Sequence, residues 1–132
     1  MASIIQHNAA RLRAVHGRIG ETFARRAESD EAWRAWQEAC AEYRARYDEL
    51  AFPGGLAAGL EKIRQSDGAT CEMALRYLEE PPYCNRSQYV MVDLKRTLNK
   101  AALRADLAER FRAWKEKRAL KRALRWARQP DQ

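Results

Sequence analysis

Cysteine, histidine, proline and glycine are scarce in this chain, with three, two, four and six copies among 132 residues. Each shortage excludes something. Cys40, Cys71 and Cys84 cannot all pair within one chain, and gaps of 31 and 13 residues match neither a zinc ribbon nor a redox CxxC. A reducing compartment is the plainer expectation. His7 and His16 are nine residues apart, on opposite faces of one helix, so that helix cannot bring them to a common metal. Few Gly and Pro mean no low-complexity stretch, and few β-branched residues argue against a sheet.

No segment approaches the roughly 18 apolar residues of a membrane span. The opening residues, Met1 to His7, lack a basic stretch followed by a long apolar run, so no targeting leader is expected. Arg outnumbers Lys by 19 to 6 and Ala supplies 24 residues, a skew that codon usage in a GC-rich bacterial genome produces without selection on arginine chemistry. The expectation is a cytoplasmic, bacterial protein with no membrane span. Recognisable active-site spacings are missing too. Pro53-Gly54-Gly55 has no following Lys-Ser/Thr to finish a phosphate loop, and no glutamate-plus-ExxH pattern of a di-iron bundle occurs. No catalytic residue, cofactor or metal is expected, and the chain reads as a non-enzyme. The exception would be a site assembled only in tertiary structure, such as Cys71 or Cys84 meeting a histidine.

What is present is helical periodicity almost throughout. A chain this long can bury a core without staples, so one helical domain over residues 1–132 is expected. Its fold class is all-α, an irregular bundle of five to six helices. Residues from about 3 to 50 should form a long N-terminal helical hairpin. Ser3 with Gln6 makes a capping-box pattern, and Ile5, Ala9, Leu12, His16, Ile19 and Phe23 recur at steps of four and three. This places His16 in the core, with Gly17 and Gly20 marking a kink or a close helix contact. Ser29 or Asp30 should cap the second helix, whose Trp33, Trp36, Cys40, Tyr43, Tyr47 and Leu50 share one stripe. That stripe reads as core in preference to a ligand groove. Phe52-Pro53-Gly54-Gly55 breaks the pattern, and three short helices are expected over about 55 to 99. Asp67 and Ser87 are the candidate caps of the second and third of these, and Asn99 marks the end of the third. A long C-terminal helix should run from about 100 to 128.

Charge is unevenly spread. The net +7 arises in the last third, where residues 95–132 hold 13 basic and 4 acidic side chains against 12 and 14 in residues 1–94. Arg118, Lys121, Arg122 and Arg125 fall on one face of the C-terminal helix at i, i+3, i+4 and i+7, with Trp126 beside them. Such a face can meet an acidic protein surface, bridge successive phosphates of a nucleic acid or touch an anionic membrane. It also suits the negative end of a helix dipole as plain solvated charge. The loop of residues 81–89 is the second candidate, because Tyr83, Arg86 and Tyr89 are positioned to contact a partner. The competing expectation there is structural, with Arg86 capping carbonyls of the preceding helix and the tyrosines folded over it. Together these features predict a non-enzymatic interaction module that binds another macromolecule, foremost a protein with an acidic surface. The alternative is a nucleic-acid-binding accessory protein working through the basic face.

Overall fold

A computed structural model describes residues 3–128 and contains six α-helices: α1 (Ile4–Arg25), α2 (Asp30–Ala51), α3 (Leu56–Arg64), α4 (Gly68–Glu79), α5 (Ser87–Lys100) and α6 (Ala105–Ala127). No strand occurs among the described residues. The chain is all-α, an irregular bundle with a long N-terminal hairpin and a long C-terminal helix.

Local chemistry sets most of the helix ends. Ser3 Oγ accepts from the Gln6 backbone N–H at 3.2 Å, Ser29 Oγ from Ala32 at 3.0 Å and Asp67 from Thr70 at 3.0 Å. Each answers one of the amides that a helix start leaves unpaired. At α3 the N-cap is Gly55, which has no side chain to cap with, and Asp48 at the end of α2 accepts from the Ala57 N–H at 2.9 Å instead. Gly54 and Gly55 turn the chain there with φ of 84° and 98°, a region that favours glycine.

The core joins the base of the hairpin to the four later helices. Ile5, Phe52, Ile63, Leu75, Tyr77, Leu78, Leu94, Leu98, Leu107 and Phe111 form one cluster. Phe52, in the segment read as a breaker, is only 1% exposed, and Gly59 makes room for it. A Cβ at Gly59 would lie 2.7 Å from the Phe52 ring.

Several expectations need correction. Helix α1 buries Ile5, Asn8, Ala9, Leu12 and Val15, so Val15 takes the inward place assigned to His16. His16 is exposed, its ring set edge-on to Tyr43 with centroids 5.4 Å apart. Gly17 and Gly20 mark neither a kink nor a close contact, since α1 is continuous through both and a Cβ at either would meet nothing within 4 Å. The aromatic stripe of α2 is not deep core. Trp33 is 45% exposed and Trp36, Tyr43 and Tyr47 are half-buried, while Ala39, Leu50 and Ala51 are the buried residues of that helix. The reason lies in the hairpin. Beyond Val15 in α1 and before Ala39 in α2 no residue is buried, so the outer half of the hairpin has only its own partner helix to pack against. There Phe23 meets Trp36 edge-on and the Arg26 guanidinium lies 3.5 Å above the Phe23 ring. Arg18 of α1 pairs with Glu42 of α2 at 2.6 Å.

Later boundaries shift as well. Helix α5 begins at Ser87 with Arg86 as its N-cap, so Ser87 is the first helical residue and not the cap. It runs through Asn99 to Lys100, and α6 starts at Ala105, where the Arg104 guanidinium bonds Asp106.

Candidate functional site

Two sequence candidates meet in space. Helix α6 runs beside α4: Leu107 and Phe111 enter the core, Arg110 pairs with Glu79 at 2.6 Å, and the Trp114 indole N–H donates to the Leu78 carbonyl at 2.9 Å. From Arg112 onward nothing in α6 is buried, and the helix continues past the end of α4. The space between this free portion and the segment after α4 is a groove of about 620 Å³. Leu78, Pro81 and Tyr83 line one side; Trp114, Lys117, Arg118, Lys121 and Arg125 line the other.

Arg118, Lys121 and Arg125 of the basic face therefore share a groove with Tyr83 of the loop. Arg122 and Trp126 do not line it, and neither do Arg86 and Tyr89. Arg86 lies near the Tyr89 ring, 5.9 Å from its centroid, and its charge also reaches Tyr43 and Tyr47. Burial raises the titration of those two phenols, and Arg86 opposes the rise.

The carbonyl-capping role expected of Arg86 belongs to α1. Arg13 donates to the Tyr83 carbonyl at 2.8 Å and Gln6 to the Glu80 carbonyl at 3.2 Å, while Asn85 donates to the Tyr43 hydroxyl at 2.7 Å. Two of these bonds hold backbone carbonyls and the third holds the Asn85 side chain, all from the hairpin side. Its tyrosines are left outside: Tyr83 is 87% exposed and Tyr89 63%. Arg86 itself is exposed and left-handed at φ 66°.

The groove is strongly cationic. Its one acid, Glu79, is engaged by Arg110, whose titration is raised first by that hydrogen bond. The remaining ion pairs of α6 join Arg104 to Asp106, Arg110 to Glu72, and Arg112 to Glu109 and Glu116. Lys117, Arg118, Lys121 and Arg125 make no ion pair with a described residue. Arg118 stacks over the Trp114 ring, 5.0 Å from its centroid, which keeps its guanidinium beside an aromatic wall. Lys115 belongs elsewhere, donating to Asn99 Oδ1 at 3.2 Å above the Phe111 ring. Two smaller grooves, of about 390 and 410 Å³, mix both signs of charge.

Sequence reasoning missed Arg110, because its acid partners Glu72 and Glu79 lie 38 and 31 residues earlier, on α4. Among the described residues no group of three or more His, Cys, Asp or Glu side chains is placed to hold a metal. Chemically, the groove can hold an anionic segment against unpaired cations and two aromatic rings. Neither a family model, a curated protein nor a solved structure matches the chain.

Proposed function

We propose that the protein is a non-enzymatic interaction module whose groove between α6 and the 78–83 segment takes an acidic segment of a partner protein. One observation carries this reading: four cations that make no ion pair with a described residue line a groove that also contains Leu78, Pro81, Ala113 and Trp114. Unpaired Arg and Lys invite carboxylates, and the apolar wall suits the side chains between them. Burial pushes the Cys71 and Cys84 thiols up, which disfavours a thiolate at those two positions.

A nucleic-acid reading has one observation in its favour, because exposed Tyr83 beside four cations resembles a base-stacking platform. The charge distribution weighs against it. The cations that line the groove all lie on α6, whereas affinity for a nucleic acid grows with the number of phosphates neutralised along its backbone. Capture with the tagged full chain, with and without nuclease, tests the choice. A protein partner that survives nuclease and is lost when Lys117, Arg118, Lys121 and Arg125 are all changed to Gln is the expected result. Nuclease-sensitive absorbance at about 260 nm, with a salt slope of about −0.7 to −0.9 per phosphate, would support the second reading.

A further inference from the structure

We propose that the last three turns of α6 lie on an anionic lipid surface, with Leu120, Leu124 and Trp126 entering the boundary between headgroups and acyl chains. This inference does not rest on the groove reading, since it concerns the opposite side of the helix.

Residues 117–128 read Lys-Arg-Ala-Leu-Lys-Arg-Ala-Leu-Arg-Trp-Ala-Arg, six cations and six apolar residues with no acid. At roughly 100° per residue, all six cations fall in one arc of about 140° and all six apolar residues in another of about 160°. The division is complete. Glu116, one residue earlier, would fall in the apolar arc, but it is bonded to Arg112.

The structure turns this helix the unusual way round. An ordinary surface helix presses its apolar face onto the body and offers charge to water. Here Lys117, Arg118, Lys121 and Arg125 face the groove, while Leu120, Leu124 and Trp126 on the far side are 60%, 47% and 70% exposed. A dense cationic face, a Trp/Leu face and low overall hydrophobicity describe a helix that lies in a membrane interface. Membrane spanning is a separate matter, and no helix among the described residues is long and apolar enough for it.

Charge chooses the occupant. Of the six cations, Arg122 and Arg128 do not line the groove, and with no acid in residues 117–128 to pair with them, lipid headgroups supply the negative charge they need without positional matching. Arg122 and Lys117 border the apolar arc on its two sides, where long side chains reach phosphates while their stems cover lipid. The arc itself is shallow, two Leu and one Trp separated by Ala119, Ala123 and Ala127. That suits shallow insertion better than a deep pocket in a protein partner.

The test is flotation of the full chain with vesicles of phosphatidylcholine containing about 30 mol% phosphatidylglycerol, compared with phosphatidylcholine alone, at low and high salt. Binding should require the anionic lipid, fall at least tenfold between about 50 and 500 mM salt, and bring a blue shift of tryptophan emission that Trp126→Phe removes. The pair Leu120→Ser and Leu124→Ser should bind at least about tenfold more weakly with unchanged melting of the core, because both side chains are exposed. No binding to anionic vesicles at low salt would overturn the proposal. So would serine variants that bind like the wild type, which would mean adsorption by charge alone. A lipid-free dimer that the serine pair converts to monomer would also overturn it, by assigning the arc to a second copy.

Discussion

Trp114 and Leu78 join the two helices that build the groove, the indole N–H donating to the carbonyl near the end of α4 at 2.9 Å. With the Lys115–Asn99 bond one residue later, this is the last side-chain hydrogen bond between α6 and another part of the chain among the described residues. Everything in α6 beyond it stands without tertiary support. Trp114→Phe keeps an aromatic ring against Phe111, with which Trp114 is stacked at 6.1 Å, but removes the donor. A loss of about 1 kcal/mol in urea unfolding is expected, together with faster amide exchange from residue 115 onward.

Glycine substitutions should separate by position. Gly59→Ala brings a methyl 2.7 Å from the Phe52 ring and should destabilise by about 1 to 3 kcal/mol. Gly17→Ala and Gly20→Ala meet open space in mid-helix and should each stabilise by about 0.5 to 1 kcal/mol. Thermal melts of the three single variants check the signs.

Tyr77 is 1% exposed and its buried hydroxyl has no hydrogen-bond partner among the described residues. Burial pushes its titration up. Tyr77→Phe removes an unsatisfied polar atom and keeps the ring against Phe52, so stability should be unchanged or rise by up to about 1 kcal/mol. Denaturant midpoints decide this, and a clear loss would show that the hydroxyl is satisfied by water.

The cap of α4 implies an acid dependence. Hydrogen bonds from the Thr70 side chain and then from its backbone hold the Asp67 carboxyl below the ordinary 3.8. A carboxyl lowered by folding stabilises the fold above its unfolded value and loses that contribution as pH falls through the folded value. Stability should therefore decline below about pH 4, and Asp67→Asn should show a shallower decline in urea midpoints between about pH 5 and pH 2.

The all-α class, the hairpin and the three side-chain caps were legible because Ser3, Ser29 and Asp67 act within a few residues of themselves. His16 and Trp33 were misread for one reason. Periodicity identifies an apolar face, but it does not say whether a second helix or the whole core covers that face, and the outer hairpin has only one neighbour. Phe52 was hidden in a segment whose Pro and Gly signalled a turn, although the turn's other task is to drive that ring inward against Gly59. At the candidate site, Arg118, Lys121 and Arg125 were visible from spacing and Tyr83 from loop chemistry. Their meeting depends on α6 overrunning α4, a tertiary offset that no local pattern encodes.

The most direct test of the groove reading places a photo-crosslinking phenylalanine analogue at Tyr83, with a second protein carrying it at Tyr89 as the off-groove control. Both side chains are exposed, so neither replacement disturbs the core. The account predicts a covalent protein adduct at position 83 that resists nuclease, is absent at position 89, and disappears when Lys117, Arg118, Lys121 and Arg125 are changed to Gln. A nuclease-sensitive adduct at 83, or a protein adduct at 89 with none at 83, would contradict it.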